Sequence, residues 1–172
     1  MQILRILTTD EGCDVESPLD SGNPPVMLLA AFTEAFPDHV MQFLTRAPGR
    51  EMWVAASYSG DEAVTVVAPE AEGRATFNLQ SAKAKQTITR RPLPRWARYL
   101  AGVTVLLAQD GLDLIGLNIV VMGNEPPGPR FDYGSGMAFA ALWHDLYQMD
   151  YTIDTLIDIV DRTRREYVEN NE

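Results

Sequence analysis

The fourteen residues Gly123 to Gly136 (GNEPPGPRFDYGSG) hold four glycines and three prolines, and they follow directly on the segment Leu117 to Met122, which contains the apolar run Ile119 to Met122. That segment reads as a buried strand, because it is short, rich in Ile and Val and bounded by turn residues. Proline and glycine break both helix and ladder, so the stretch predicts a loop, opening onto a helix from about Gly136 to Gln148. Strand, loop and helix in this order leave free N–H groups at the helix start, where the helix dipole favours an anion.

The rest of the chain supplies layers around this unit. Met27, Leu28, Ala31, Phe32, Ala35 and Phe36 recur at three-and-four spacing until Pro37, which predicts a helix. Five short segments rich in Val, Thr and aromatics follow: Val40 to Thr45, Glu51 to Tyr58, Ala63 to Val67, Arg74 to Leu79 and Gln86 to Thr89. They predict antiparallel strands. Trp96, Leu100, Val103, Leu106 and Leu107 restore helical spacing, with Gly111 as a stop. A last helix spans Thr152 to about Val168. The order αβββββαβαα predicts one α+β domain over residues 24–172, a mixed and largely antiparallel sheet with helices layered on one face. Residues 1–23, acidic and rich in Gly, Ser and Pro towards Pro24, are expected to form a loose leader.

Charge narrows the partners. Lys+Arg 14 against Asp+Glu 24 gives a net charge of −10, which repels a polyphosphate backbone and argues against nucleic-acid binding. The apolar runs fall short of the ~20 residues a membrane span needs. The single cysteine, Cys13, fits neither an internal disulfide nor a zinc pattern, so a cytoplasmic, metal-free protein is expected. His39 and His144 have no ligand at metal spacing and are expected at the surface or at an interface. Asp154, Asp158 and Asp161 read as a solvated helix face, with Arg162 and Arg165 as i+4 partners. Between Glu72 and Asp110 there is no acid, while Arg74, Lys83, Lys85, Arg90, Arg91, Arg95 and Arg98 all lie there. These cations pair with the domain's own acidic surface or solvate a strand and a helix, or else they receive an anionic ligand or an acidic partner.

Several motifs add a resemblance. FLTRAPGR (Phe43 to Arg50) resembles the opening APGR motif of galactokinases, members of the GHMP kinase family. RWARYLAGV (Arg95 to Val103) is similar to that family's WANYVxGV helix. VMGN (Val121 to Asn124), with Pro126 and Gly128, is similar to the strand and loop VSGxxPxGxGLSSSA. Leu146, Tyr147 and RREYVE (Arg164 to Glu169) resemble the helices that come next, so the likeness covers roughly residues 28 to 169. It implies the family's N-terminal domain, whose loop cradles the phosphates of Mg-ATP. The corresponding nucleotide positions here are Trp96, Gly128, Arg130, Asp132, Gly134, Ser135 and Gly136, and the sugar position is Arg50.

The departures from the family pattern set the functional expectation. After APGR the family continues VNLIGEHTDY, whose Glu, His and Asp hold the sugar; Ala56, Ser57 and Ser59 stand there instead. In the phosphate loop, Pro129 has no N–H, Arg130 and Phe131 are bulky, and Asp132 and Tyr133 replace serines. A carboxylate ~4 Å from a phosphate charge costs about 4 kcal/mol at an effective dielectric of 20, roughly a thousandfold in affinity. Asp132 is instead expected to cap the helix. The motif CGIMDQ, which carries the family's catalytic Asp, would begin beyond Glu172, so neither that base nor the second domain is expected in this chain. The expected function is a non-catalytic binding or interaction module, working as a homodimer or with a partner chain that covers the face the family's second domain would occupy. The alternatives are half of a split ATP-dependent sugar kinase and a nucleotide or sugar-phosphate sensor.

Overall fold

The computed structural model describes residues 25–170; the acidic leader expected over 1–23 lies outside them. Helix α1 (Val26–Ala35) leads into β1 (Phe43–Arg46), β2 (Met52–Tyr58), β3 (Val64–Ala68), a 3-10 turn at Pro69–Ala71 and β4 (Gly73–Phe77). Then come α2 (Leu79–Lys83), α3 (Arg95–Gln109), β5 (Leu117–Gly123), α4 (Pro129–Leu146), α5 (Ile153–Thr163) and a π-helical turn at Arg164–Val168. The sheet order is β1-β2-β5-β3-β4. All pairs are antiparallel except β3 with β5, where Val66 faces Ile119. The mixed α+β class expected from the sequence therefore stands.

Side-chain alternation explains why β2 and β5 look uniformly apolar. Met52, Val54, Ala56, Ile119 and Val121 point to the main core under α2, α3, α4 and α5. Trp53, Ala55, Val120 and Met122 point the other way, where Leu28, Phe32 and Phe36 of the α1 segment cover them. The helix layer on one face is as expected, and α1 gives the middle of the sheet a cover on the second. A strand buried on both faces has no polar side to show. In β3, by contrast, burial alternates along Val64, Thr65, Val66, Val67 and Ala68, because one face is only partly covered.

Three local expectations need correction. Leu79 starts a short helix instead of ending a strand: the Asn78 side chain accepts from Ser81 N–H at 2.8 Å while Asn78 N–H donates to Ser81 Oγ at 3.0 Å. This reciprocal cap outcompetes the ladder. Gln86 to Thr89 is not a strand either. Lys85 and Arg90 have φ of 56° and 63°, Thr87 N–H closes on Arg91 C=O at 2.8 Å, and only Gln86 and Pro92 form a single bridge. Third, α4 begins at Pro129, about two turns before Gly136. Pro129 occupies the first helical position, where its fixed φ is preset and its missing N–H costs nothing.

The basic segment resolves largely into local contacts. Arg74 lies 5.3 Å from the Phe36 ring, Lys85 lies 5.4 Å from that of Tyr167, and Arg98 Nε donates to Leu93 C=O at 3.3 Å. Arg95 faces Asp132. No helix among the described residues is long and apolar enough to cross a membrane.

Close approach of α3 to the chain end depends on Gly102. A Cβ there would come within 2.5 Å of Thr163 Cγ2 and 2.7 Å of Tyr167 Cδ1. Gly102→Ala is therefore expected to destabilise the domain by about 1–3 kcal/mol through overpacking. Urea unfolding checks this: an unchanged midpoint would show that α5 and the π-turn shift freely.

Candidate functional site

The C-terminal end of β5 and the start of α4 bring together most of the residues singled out in the sequence. Gly123 closes β5 against Glu51, whose carbonyl accepts Asn124 N–H at 2.9 Å. A Cβ on Gly123 would come within 2.0 Å of that same carbonyl oxygen, so no larger residue fits. Gly128 precedes α4 with φ +136°, a left-handed value that glycine tolerates, and no side chain caps the helix. Asp132 is thus not the helix cap expected from the sequence: it lies inside the first turn, its N–H donating to Gly128 C=O at 3.0 Å.

Arg50 occupies the centre. Its Nε donates to Glu125 Oε1 at 2.8 Å and its Nη2 to Glu125 Oε2 at 2.9 Å, a two-pronged pair that uses both carboxylate oxygens. Nη2 also reaches Arg130 C=O at 3.2 Å, and the guanidinium lies 5.2 Å from the Tyr133 ring centre. The turn between β1 and β2 is thereby tied to the loop and to α4. Gly134 leaves room for this, since a Cβ there would lie 3.0 Å from Glu125 Oε2 and 2.7 Å from Met52 Cγ. No local pattern flagged Glu125, whose partner is 75 residues away.

The other expected positions are held by the protein itself. Ser135 Oγ, 1% exposed, donates to Phe131 C=O at 2.8 Å inside the helix. Gly134 and Gly136 are helix interior, not an anion nest; at Gly136 the space goes to Tyr99. Tyr133 donates to Asp161 Oδ1 at 3.0 Å and meets Tyr99 edge-on. Burial first, then this hydrogen bond, pushes its hydroxyl up to about 12. Trp96 is partly buried against Gly73, where a Cβ would fall 2.7 Å from its indole. Glu70, which sequence reasoning missed, accepts Gly123 N–H at 3.2 Å through Oε1, and its buried Oε2 has no hydrogen-bond partner.

Asp132 is nearly enclosed: its side chain is 6% exposed and faces Arg95 Nε at 3.6 Å. Burial holds its carboxyl above the usual carboxylate range, and Arg95 opposes that only in part. Ala56 is fully buried, Ser57 receives Asn118 Nδ2 at 3.5 Å, and Ser59 Oγ donates to Asp61 at 2.8 Å. All three are structural. His144, expected at the surface or an interface, is buried within the domain with Nδ1 2.7 Å from Ala140 C=O, and among the described residues no group of three or more His, Cys, Asp and Glu could hold a metal.

No family model matches the sequence, and no curated protein does. Solved structures do. The crystal structure of Lactococcus lactis galactokinase in complex with galactose superposes with a TM-score of 0.64 at 16% identity, over 85% of this chain and 43% of that one. This chain has the GHMP kinase N-terminal fold. Methanococcus jannaschii mevalonate kinase shares the GHMP fold with a TM-score of 0.52 at 9% identity, over 67% of this chain and 36% of that one. The chain thus spans less than half the length of either kinase.

Within this GHMP-type frame the raised carboxyl of Asp132 makes a stability prediction. The folded protein keeps the Asp132 proton to higher pH than the unfolded chain does, so this group's contribution is full below 3.8 and is lost as pH rises through its raised value. Asp132→Asn is expected to melt higher than the parent at pH 7, with the gap closing as pH falls through the carboxylate range. Thermal denaturation across pH decides; a lower melting temperature at pH 7 would mean that the Arg95 pair outweighs burial.

Proposed function

We propose that this GHMP-fold chain is a non-catalytic binding or interaction module. The observation that carries the reading is the Arg50–Glu125 pair. The one cation matching the family's sugar position is spent on an internal carboxylate, at 2.8 and 2.9 Å. A substrate would have to displace a bidentate, partly buried ion pair, and leaving either partner unpaired costs several kcal/mol. Mg-ATP does not fit the residues present. The Ser135 hydroxyl is committed to Phe131 C=O, and Asp132 sets a carboxylate in the first turn of α4, where phosphate needs N–H and O–H donors.

An interaction role is supported by the outer side of α1, where Val26, Met27 and Leu29 are 84%, 66% and 44% exposed. Exposed apolar groups of this size favour association, and a two-fold homodimer is the commonest closed form.

Purified protein is expected to give no saturable heat on titration with Mg-ATP and no ADP release with galactose above the no-protein control. Turnover that disappears in Arg50→Ala would overturn the reading in favour of a sugar kinase. Light scattering at micromolar concentration is expected to report a dimer, and Met27→Asp to yield a monomer. A parent protein that is monomeric and binds no hydrophobic dye would remove the interaction surface from the proposal.

A further inference from the structure

Of the seven cations between Glu72 and Asp110, four are held by the local contacts given above and three are not. Lys83, Arg90 and Arg91 are exposed, and none has an ion-pair partner among the described residues. The two arginines belong to the turn after α2, whose shape is fixed. Thr87 N–H donates to Arg91 C=O at 2.8 Å, Arg90 N–H to Thr87 C=O at 2.9 Å and Ile88 N–H to Thr76 C=O at 3.0 Å, the last tying the turn to the edge strand β4.

Between this turn and α2 lies a cleft of about 300 Å³, lined by Gln80, Gln86, Ile88 and Arg90 among others, and none of its lining residues is acidic. A second cleft of about 460 Å³ adjoins it, since Asn78 and Gln80 line both. Val64, Leu79, Ala108, Leu112 and Ile115 give the second cleft apolar walls. Its charges come from separate elements: Lys83 from α2, Glu62 and Asp113 from the loops that precede β3 and β5. The two clefts form one groove along α2, cationic at the turn and apolar beyond it. Side-chain amides such as Gln80 and Gln86 both donate and accept, as a peptide backbone does, so the groove suits a length of chain with acidic side chains.

We infer that this groove is the docking surface for the acidic stretch Asp10 to Asp20 of the same chain. Charge complementarity selects it. That stretch holds five acids and no Lys or Arg, whereas residues 73–109 hold seven cations and no acid. Its carboxylates supply the anions that Lys83, Arg90 and Arg91 lack, and its Val15 and Leu19 are aliphatic like the walls of the second cleft. Glu62 and Asp113 oppose carboxylates there, so the acids gather at the turn. Length permits it as well. Asp10 lies fifteen residues before Pro25, where the described residues begin. At about 3.3–3.6 Å per residue that reaches up to ~50 Å, more than the roughly 40 Å such a domain measures across. Exposed ion pairs are weak singly and screened by salt, so docking needs several at once.

Cys13, the single cysteine of the chain, lies inside the stretch and gives the test its handle. A nitroxide spin label on Cys13 of the full chain is expected to broaden the amide NMR signals of Gln80, Gln86, Ile88 and Arg90 far more than those of Glu125 and Arg130, which follow the opposite end of β5. Lys83→Glu with Arg90→Glu, both at exposed positions, is expected to abolish that difference. So is 1 M sodium chloride, where the screening length is about 3 Å. Even broadening over the whole surface, no broadening at the groove, or a difference that survives either the double variant or the salt would overturn the inference. The salt arm decides alone if the double variant does not fold. Broadening of an unlabelled chain by a spin-labelled one in a mixture, without broadening inside one chain, would also overturn it, in favour of a second copy's stretch. Arg50, Glu125 and Asp132 take no part, so the result is independent of the reading of the α4 N-terminus.

Discussion

Strand β5 is the constraint on which the molecule turns. It pairs antiparallel with β2 and parallel with β3, so it alone joins the β1-β2 hairpin to the β3-β4 hairpin. Every residue from Leu117 to Met122 is buried, and burial on both sides is possible only because α1 closes one face and α3 with α4 the other. The polar residue inside this strand, Asn118, is buried and donates to Ser57 Oγ at 3.5 Å; a polar group there without a partner would lose about 1–3 kcal/mol. The parallel partner also requires a long return between β3 and β5, and this connection contains α2 and α3.

Where β5 stops, the chemistry of the loop is set by what the sheet end leaves unpaired. Gly123 donates its N–H to Glu70, and Glu51 takes the next N–H from Asn124. Beyond them Glu125 turns back to Arg50. The side chains of Glu70 and Glu125 and the backbone carbonyl of Glu51 thus satisfy donors that a bound anion would otherwise use. The GHMP kinase N-terminal fold comes here with local electrostatics that favour self-closure, which is why fold and activity have to be argued separately.

The same economy of partners runs through the helical layer. Asp161 receives Tyr133 and lies 4.0 Å from Arg164, Asp110 receives Arg162, and Asp145 receives Thr45 Oγ1 at 3.0 Å. Most charged groups near α4 and α5 therefore anchor one element to another. Exposed pairs of this kind add little stability each, typically below about 1 kcal/mol, but they fix the register of helices that Gly102 and Gly136 allow to approach closely. Asp154 and Asp158 stand apart because they anchor nothing.

Local pattern carried a large part of this molecule. The three-and-four spacing of Leu28 and Phe32, the Pro37 stop, the apolar run of β5 from Ile119 and the helical run that starts at Thr152 depend on neighbours within a turn, so helices α1, α3 and α5 and the central strands are legible in the sequence. The glycines and prolines before Gly136 misled, because Pro129 starts a helix as readily as it breaks one, and Gly134 and Gly136 serve contacts with Met52 and Tyr99 that no local window contains. Motif order was enough to indicate the GHMP-type fold, which depends on the succession of elements. Whether Arg50 faces a ligand or Glu125, whether Asp132 caps a helix or is buried against Arg95, and whether His144 meets water or the core were decided only by the tertiary structure. Each of these depends on a partner or a covering helix brought in from far along the chain, and a side chain's charge state and free hydrogen-bonding capacity follow from that partner, not from its neighbours in sequence.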